Sequence, residues 1–151
     1  MRERVITKTG NTKKETYQQF LANVGLFSIA LDSISANLDR EAYWNVREKD
    51  SPSIANNVAS KYVLTNFEKD HFDVMAIFTF QMKEGEGKPF LNIEMRYFAH
   101  FHPKSGTFDK KFSEKFAQSE ARLIFWPYFR QATFDMTARM NIPPITLPLS
   151  V

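Results

Sequence analysis

The sequence predicts an α+β fold, a four-stranded antiparallel sheet packed against one long kinked helix. Three observations carry this expectation. Strict period-two alternation runs through Phe72, Val74, Ala76, Phe78, Phe80 and Met82, and again through Leu91, Ile93, Met95, Tyr97, Ala99 and Phe101. Short polar turns, Glu68-Lys69-Asp70-His71 and Gly85-Glu86-Gly87-Lys88, join the strands, so neighbours must run antiparallel. From Phe112 to Met140 apolar residues recur at helical spacing, with Phe112, Phe116, Leu123, Trp126, Thr133 and Met140 on one side. Phe125, Tyr128, Phe129 and Ala132 carry that surface most of the way round. A helix apolar on several faces is sandwiched between two layers. One layer is the sheet; a second subunit is the expected other, with Phe116, Leu123, Trp126 and Phe129 as its interface residues. Pro127 removes one helical hydrogen bond and predicts a kink near Trp126.

Taken in order, residues 1–14 carry Arg2, Arg4, Lys8, Lys13 and Lys14 and are expected to form a mobile basic tail, with 15–151 as a single domain. A helical turn through Tyr17 to Leu21 comes next. The first strand spans Gly25 to Leu38. Phe27, Ile29 and Leu31 alternate there, and Ile34, Ala36 and Leu38 continue in the opposite phase. A phase switch at Asp32-Ser33 is what a β-bulge produces. The stretch Asp39 to Asn57 reads as a long loop holding Tyr43, Trp44, Val46 and Ile54 without a periodicity of its own; loops of that length are often functional. Strands follow over Val58–Phe67, Phe72–Lys83 and Phe90–His102, forming a meander with one covered face. After the helix, Ile142 to Val151 contains Pro143, Pro144 and Pro148, which forbid helix and favour an extended segment. Its apolar side chains must lie on something or stay exposed.

Composition narrows the function classes. A chain of 151 residues with 43% hydrophobic and 25% charged residues is one ordinary globular domain. It has 15 Phe, 6 Met and no Cys, which excludes disulfides and thiolate metal sites and fits a reducing compartment. No apolar run approaches the roughly 20 residues that span a bilayer. Residues 1–15 lack the apolar core of a secretory signal, so a cytoplasmic protein is expected. The net charge of +3 is too mild to argue for nucleic acid.

Reactive constellations are sparse. His100 and His102, spaced i, i+2 on one strand face, could offer two imidazoles to a metal with His71 or Glu94 as a third ligand; the alternative is a polar, solvent-facing strand. Gly85-Glu86-Gly87-Lys88 lacks the Gly-Lys-Ser/Thr ending and following helix of a phosphate loop, and reads as a hairpin turn. No Gly-x-Ser-x-Gly elbow and no Cys nucleophile is present. Acids such as Asp73 and Glu94 have no implied apolar pocket to raise a pKa. Arg96-Tyr97-Phe98 and Trp126-Pro127-Tyr128-Phe129-Arg130 interleave bases with aromatics, as single-strand binders do, but helix aromatics this dense read as core or subunit interface. The residues therefore imply no enzyme, no cofactor and no metal.

Several of these features resemble one family. Four antiparallel strands, a long connection after the first, a helix carrying Trp126-Pro127-Tyr128-Phe129-Arg130, and the segment Ile142, Pro143, Ile145, Leu147, Pro148 are similar to SecB, the export chaperone. The first strand, with Asp32, Ser33, Ile34 and Ser35, resembles the family's opening strand. The resemblance covers residues 17–151 in topology and is most specific over Leu123 to Pro148. It implies an ATP-independent cytoplasmic holdase, assembled as a dimer of dimers through its long helices, that binds unfolded polypeptides in apolar grooves. The groove walls would be the post-strand loop, with Tyr43, Trp44, Val46 and Ile54, and the post-helix segment, with Ile142, Ile145, Leu147 and Leu149. A dedicated adaptor binding one partner peptide on the same fold is the alternative. The family also implies the SecA motor as a partner, through acidic patches and a zinc-binding tail. With a pI of 9.1, Asn37 where the family's strand tends to be acidic, and no Cys, this chain departs from the family there.

Overall fold

The computed structural model describes residues 14–149, so the expected basic tail lies outside the described residues except for Lys14. In chain order the elements are α1 (Tyr17–Asn23), β1 (Val24–Leu38), α2 (Arg40–Arg47), β2 (Ile54–Glu68), β3 (His71–Glu84), β4 (Pro89–Pro103), α3 (Lys110–Ser119) and α4 (Ala121–Arg139). The short α1 is held by a reciprocal cap. Thr16 Oγ1 accepts from the Gln19 amide at 3.2 Å, and the Gln19 side chain accepts from the Thr16 amide at 2.9 Å. The cap fixes Phe20, fully buried among Phe72, Phe108, Phe112 and Phe116.

The four strands form one antiparallel sheet in the order β1-β4-β3-β2. β2, β3 and β4 make the expected meander, and Gly85, with φ of 52°, takes the left-handed conformation that the β3–β4 turn needs. β1 pairs with β4 at the far edge, so the chain crosses the whole sheet between β1 and β2. The register shifts between Leu31 and Ser33, where the phase of the apolar residues switches, and again between Leu26 and Ser28. The stretch expected as a plain loop is partly helix. Asp39 accepts from the Ala42 amide at 2.9 Å and starts α2, which carries Tyr43, Trp44 and Val46.

One face of the sheet is covered by helices. There Phe72, Val74, Ala76, Phe78 and Phe80 of β3 meet Leu91, Ile93, Met95, Ala99 and Phe101 of β4, all fully buried. Phe129 stacks on Phe78 with ring centroids 4.4 Å apart and planes 7° from parallel. Phe125 reaches Tyr62 on one side and Tyr97 on the other. Phe116 packs edge-on against Phe72 and Phe101. Such pairs contribute about 0.5–1.5 kcal/mol each beyond the burial of their area. The long helical element is interrupted at Glu120, where the Leu123 amide donates back only three residues, while Pro127 sits inside α4. The interruption lets α3 present Phe116 and α4 present Phe125 and Phe129 to different parts of one sheet.

This packing corrects the expected interface. Phe116, Trp126 and Phe129 are buried within a single chain, and only Leu123, at 64% exposure, is open to a second copy. The second layer over α4 is the chain's own C-terminal segment, as described below. Exposed apolar side chains cluster elsewhere: Leu26, Leu31 and Ile34 of β1 pair with Phe101, Tyr97 and Met95 and so lie on the helix-side face, at its uncovered edge.

Two predictions follow from the core. Phe129→Ala should destabilise the chain by about 3–5 kcal/mol, read as a lower urea midpoint. Tyr97 donates to the Tyr128 carbonyl at 3.2 Å, and burial pushes its pKa from 10.0 up to about 12. The unfolded chain therefore ionises first on raising pH, so this contribution is intact below pH 10 and is lost as pH rises towards 12. Denaturation at stepped alkaline pH should show that loss in the wild type and a smaller one in Tyr97→Phe.

Candidate functional site

α4 ends in a helix-terminating turn built on Asn141, whose φ of 58° is the left-handed conformation Asn tolerates. The Ile142 amide reaches back to the Thr137 carbonyl and the Asn141 amide to the Ala138 carbonyl, at 3.3 and 3.1 Å. That turn sends residues 142–149 back along α4. Prolines supply no N–H, so this segment cannot pair as a strand; side chains of α4 hold its backbone instead. Thr137 Oγ1 accepts from the Ile145 amide at 2.9 Å, Arg130 Nε donates to the Leu147 carbonyl at 2.7 Å, and Trp126 Nε1 donates to the Pro148 carbonyl at 2.9 Å. Ile142 and Leu147 are buried by this arrangement. Arg40, at the start of α2, donates to the Met140 carbonyl at 3.1 Å and ties the two walls together at one end.

Between the walls lies an open groove of about 480 Å³, within the range of ligand-binding pockets. One wall is Tyr43, Val46, Arg47 and Lys49, followed by Pro52 and Ile54 at the entry to β2. The other is Ile142, Pro143, Pro144 and Ile145, and the floor is Met82 and Phe90 from the ends of β3 and β4. Its surface is mainly apolar. Among the described residues, no carbonyl from Ile142 to Ile145 accepts a hydrogen bond, so the extended wall keeps free acceptors beside its apolar side chains.

The structure brings five of the eight sequence-assigned groove residues together: Tyr43, Val46, Ile54, Ile142 and Ile145. Trp44 points elsewhere on α2, 48% exposed beside Tyr43 and Arg47. Leu147 is consumed in the core, and Leu149 is 81% exposed beyond the groove. Met82 and Phe90 were read as ordinary sheet residues, and Arg47, Lys49 and Pro52 were not singled out. The signal available for the floor was positional: both residues end their strands where the helix cover runs out.

The three histidines also meet, on the opposite sheet face. Ring centroids of His71, His100 and His102 lie 4.7–6.0 Å apart, and Phe27 packs edge-on against the latter two. His100 Nδ1 is hydrogen-bonded to Asp73, and His71 Nδ1 to Asp70 at 2.8 Å; the His71 bond holds the exposed Asp70 carboxyl below its usual pKa. Among the described residues, no group of three or more His, Asp or Glu is arranged to hold a metal ion. Among them, too, no helix is long and apolar enough to cross a membrane.

With fold and groove defined, the chain can be set beside known proteins. No family model matches the sequence, and no curated protein matches it. Among solved structures, it is similar to a SecB-like chaperone of Mycobacterium tuberculosis in complex with a ChAD peptide from an antitoxin. The TM-score is 0.71 at 17% identity, over 87% of this chain and 94% of that one. A protein of unknown function from Streptococcus agalactiae aligns with a TM-score of 0.47 at 12% identity, over 83% of this chain and 96% of that one. The chain therefore has a SecB-like fold, at 17% identity to the mycobacterial structure it superposes on.

The wall depends on a side-chain oxygen. Thr137→Val should leave the Ile145 amide without its acceptor, costing about 1–3 kcal/mol locally. Hydrogen exchange should then show faster exchange at Ile145, with the amides of β3 unchanged.

Proposed function

We propose that this chain is a cytoplasmic, ATP-independent holdase whose groove takes apolar stretches of unfolded polypeptide. The observation that carries the reading is the groove itself: apolar, open, and walled by an extended segment whose carbonyls accept no hydrogen bond among the described residues. Apolar pockets take side chains of many shapes, and free carbonyls can bond any backbone N–H. The combination favours affinity for chain over affinity for sequence. The SecB-like fold supports it, since the aligned mycobacterial protein is described as a chaperone.

A second reading has one observation in its favour. That mycobacterial protein was solved with a peptide from an antitoxin, which is a single partner. A dedicated adaptor would use the same groove with one tight occupant and no general activity. Either reading accommodates an even-numbered oligomer. Its contacts would be the β1 face with Leu26, Leu31 and Ile34 and the helix surface with Leu123, which offer two separate apolar patches as a dimer of dimers requires. An export role through SecA has the weakest support, given the basic composition.

Nucleotide-free suppression of aggregation of a denatured test protein is the direct assay. The wild type should suppress at modest molar excess, and Ile145→Asp should lose most of that effect while its circular dichroism is unchanged. Trp44→Ala should keep far more suppression than Ile145→Asp, because Trp44 does not line the groove itself. Absence of suppression by the folded wild type, with one tight hit on a peptide array, would replace the holdase with the adaptor. Leu31→Glu should lower the native mass, which mass spectrometry reads directly.

A further inference from the structure

The charges on the groove wall point to a chemical preference in what binds there. Among the described residues, the charged ones that line it are Arg47 and Lys49, and no carboxylate does. They are not equivalent. Lys49 is paired with Glu84, so its charge is already answered within the chain. Among the described residues Arg47 pairs with no carboxylate. Instead its Nη1 donates to Tyr43 Oη at 3.1 Å, and its guanidinium carbon lies 5.5 Å from the centre of the Trp44 ring. Both partners sit one turn back on α2, where helical geometry places them beside residue 47. Two aromatic groups thus hold a planar cation at the groove while leaving most of its five N–H donors unused. A guanidinium held this way matches a carboxylate in geometry as well as charge.

Resting on the groove's reading as a polypeptide site, we propose that it selects extended apolar segments carrying an acidic residue, with Arg47 as the residue that reads the acid. Apolar side chains of such a segment fill the space over Met82 and Phe90. Its backbone lies along the carbonyls of Ile142 to Ile145. A Glu or Asp between the apolar positions reaches Arg47 across the groove. Segments with Lys or Arg at that place meet an unanswered like charge. The overall composition, with a net charge of +3, adds a field of the same sign.

The test uses three labelled peptides of one apolar-aromatic sequence that differ only in a central Glu, Gln or Lys, titrated by fluorescence anisotropy. Glu should bind about two- to five-fold more tightly than Gln, the range for one solvent-accessible ion pair, and Lys more weakly than Gln. The Glu advantage should shrink with added salt. In Arg47→Gln the Glu and Gln peptides should bind alike; in Arg47→Lys part of the advantage should remain. Equal binding of all three peptides to the wild type, abolished by Ile145→Asp, would overturn the acidic preference and leave the groove reading standing. Binding indifferent to Ile145→Asp would overturn both. A Glu advantage that survives Arg47→Gln would overturn the role given to Arg47.

Discussion

Three hydrogen bonds from α4 to a backbone that cannot pair with itself hold one wall of the candidate groove in place. Residues 142–149 contain three prolines, so they can join neither a sheet nor a helix. Left to water they would expose Ile142, Ile145 and Leu147. Trp126, Arg130 and Thr137, four and seven residues apart, lie one above another on a single face of α4, and each bonds one backbone group of the segment. The segment thereby becomes a layer. It covers Trp126 from outside while Phe125 and Phe129 face the sheet, so two sides of this helix are covered within one subunit while Leu123, Tyr128 and Phe134 stay exposed.

That layer accounts for what could and could not be foreseen in the residues. The alternation in β3 and β4 was plain because each strand buries one face only, and the β1 bulge was visible as a change of phase. The three-strand meander followed from its short turns. The place of β1 did not, because nothing in a strand's own residues states which edge it joins. α2 was missed although its cap, Asp39, and its inward residues, Tyr43 and Val46, were on view; a helix of eight residues is stabilised by what it packs against, and its neighbours come from β4 and the end of α4. The interface assignment to Phe116, Trp126 and Phe129 failed for a related reason. Apolar periodicity says that a face is covered and is silent on whether a sister chain or a distant part of the same chain covers it.

The candidate site was half legible on the same terms. Irregular apolar stretches marked both walls, because apolar residues outside any period have to rest on something. They did not mark the floor, since Met82 and Phe90 belong to well-formed strands and become available only where cover is lacking. Nor did they separate Ile145, which faces the groove, from Leu147, which faces the core. A strand would put two residues this far apart on one side, but a proline-rich extended segment turns about every three residues and does not. The Arg130 bond to the Leu147 carbonyl holds this stretch against α4, and Leu147 is buried there.

An open apolar groove has to be explained against the tendency of such surfaces to close. Burying more area would be favourable, at about 25 cal/mol per Å², and a flexible wall would slump inward to gain it. The Pro143-Pro144 pair opposes this, because each ring fixes φ and the local backbone has few conformations into which to relax. The Arg40 bond to the Met140 carbonyl then sets where the wall starts, and the Thr137 bond to the Ile145 amide sets where it turns back to the helix. A stiff segment anchored at both ends spans the groove without filling it. On the proposed holdase reading, the same stiffness would leave little conformational entropy to be lost when an occupant arrives, so contacts made one residue at a time could still sum to useful affinity. Rigidity in the wall and tolerance in what it is proposed to hold would then have one cause.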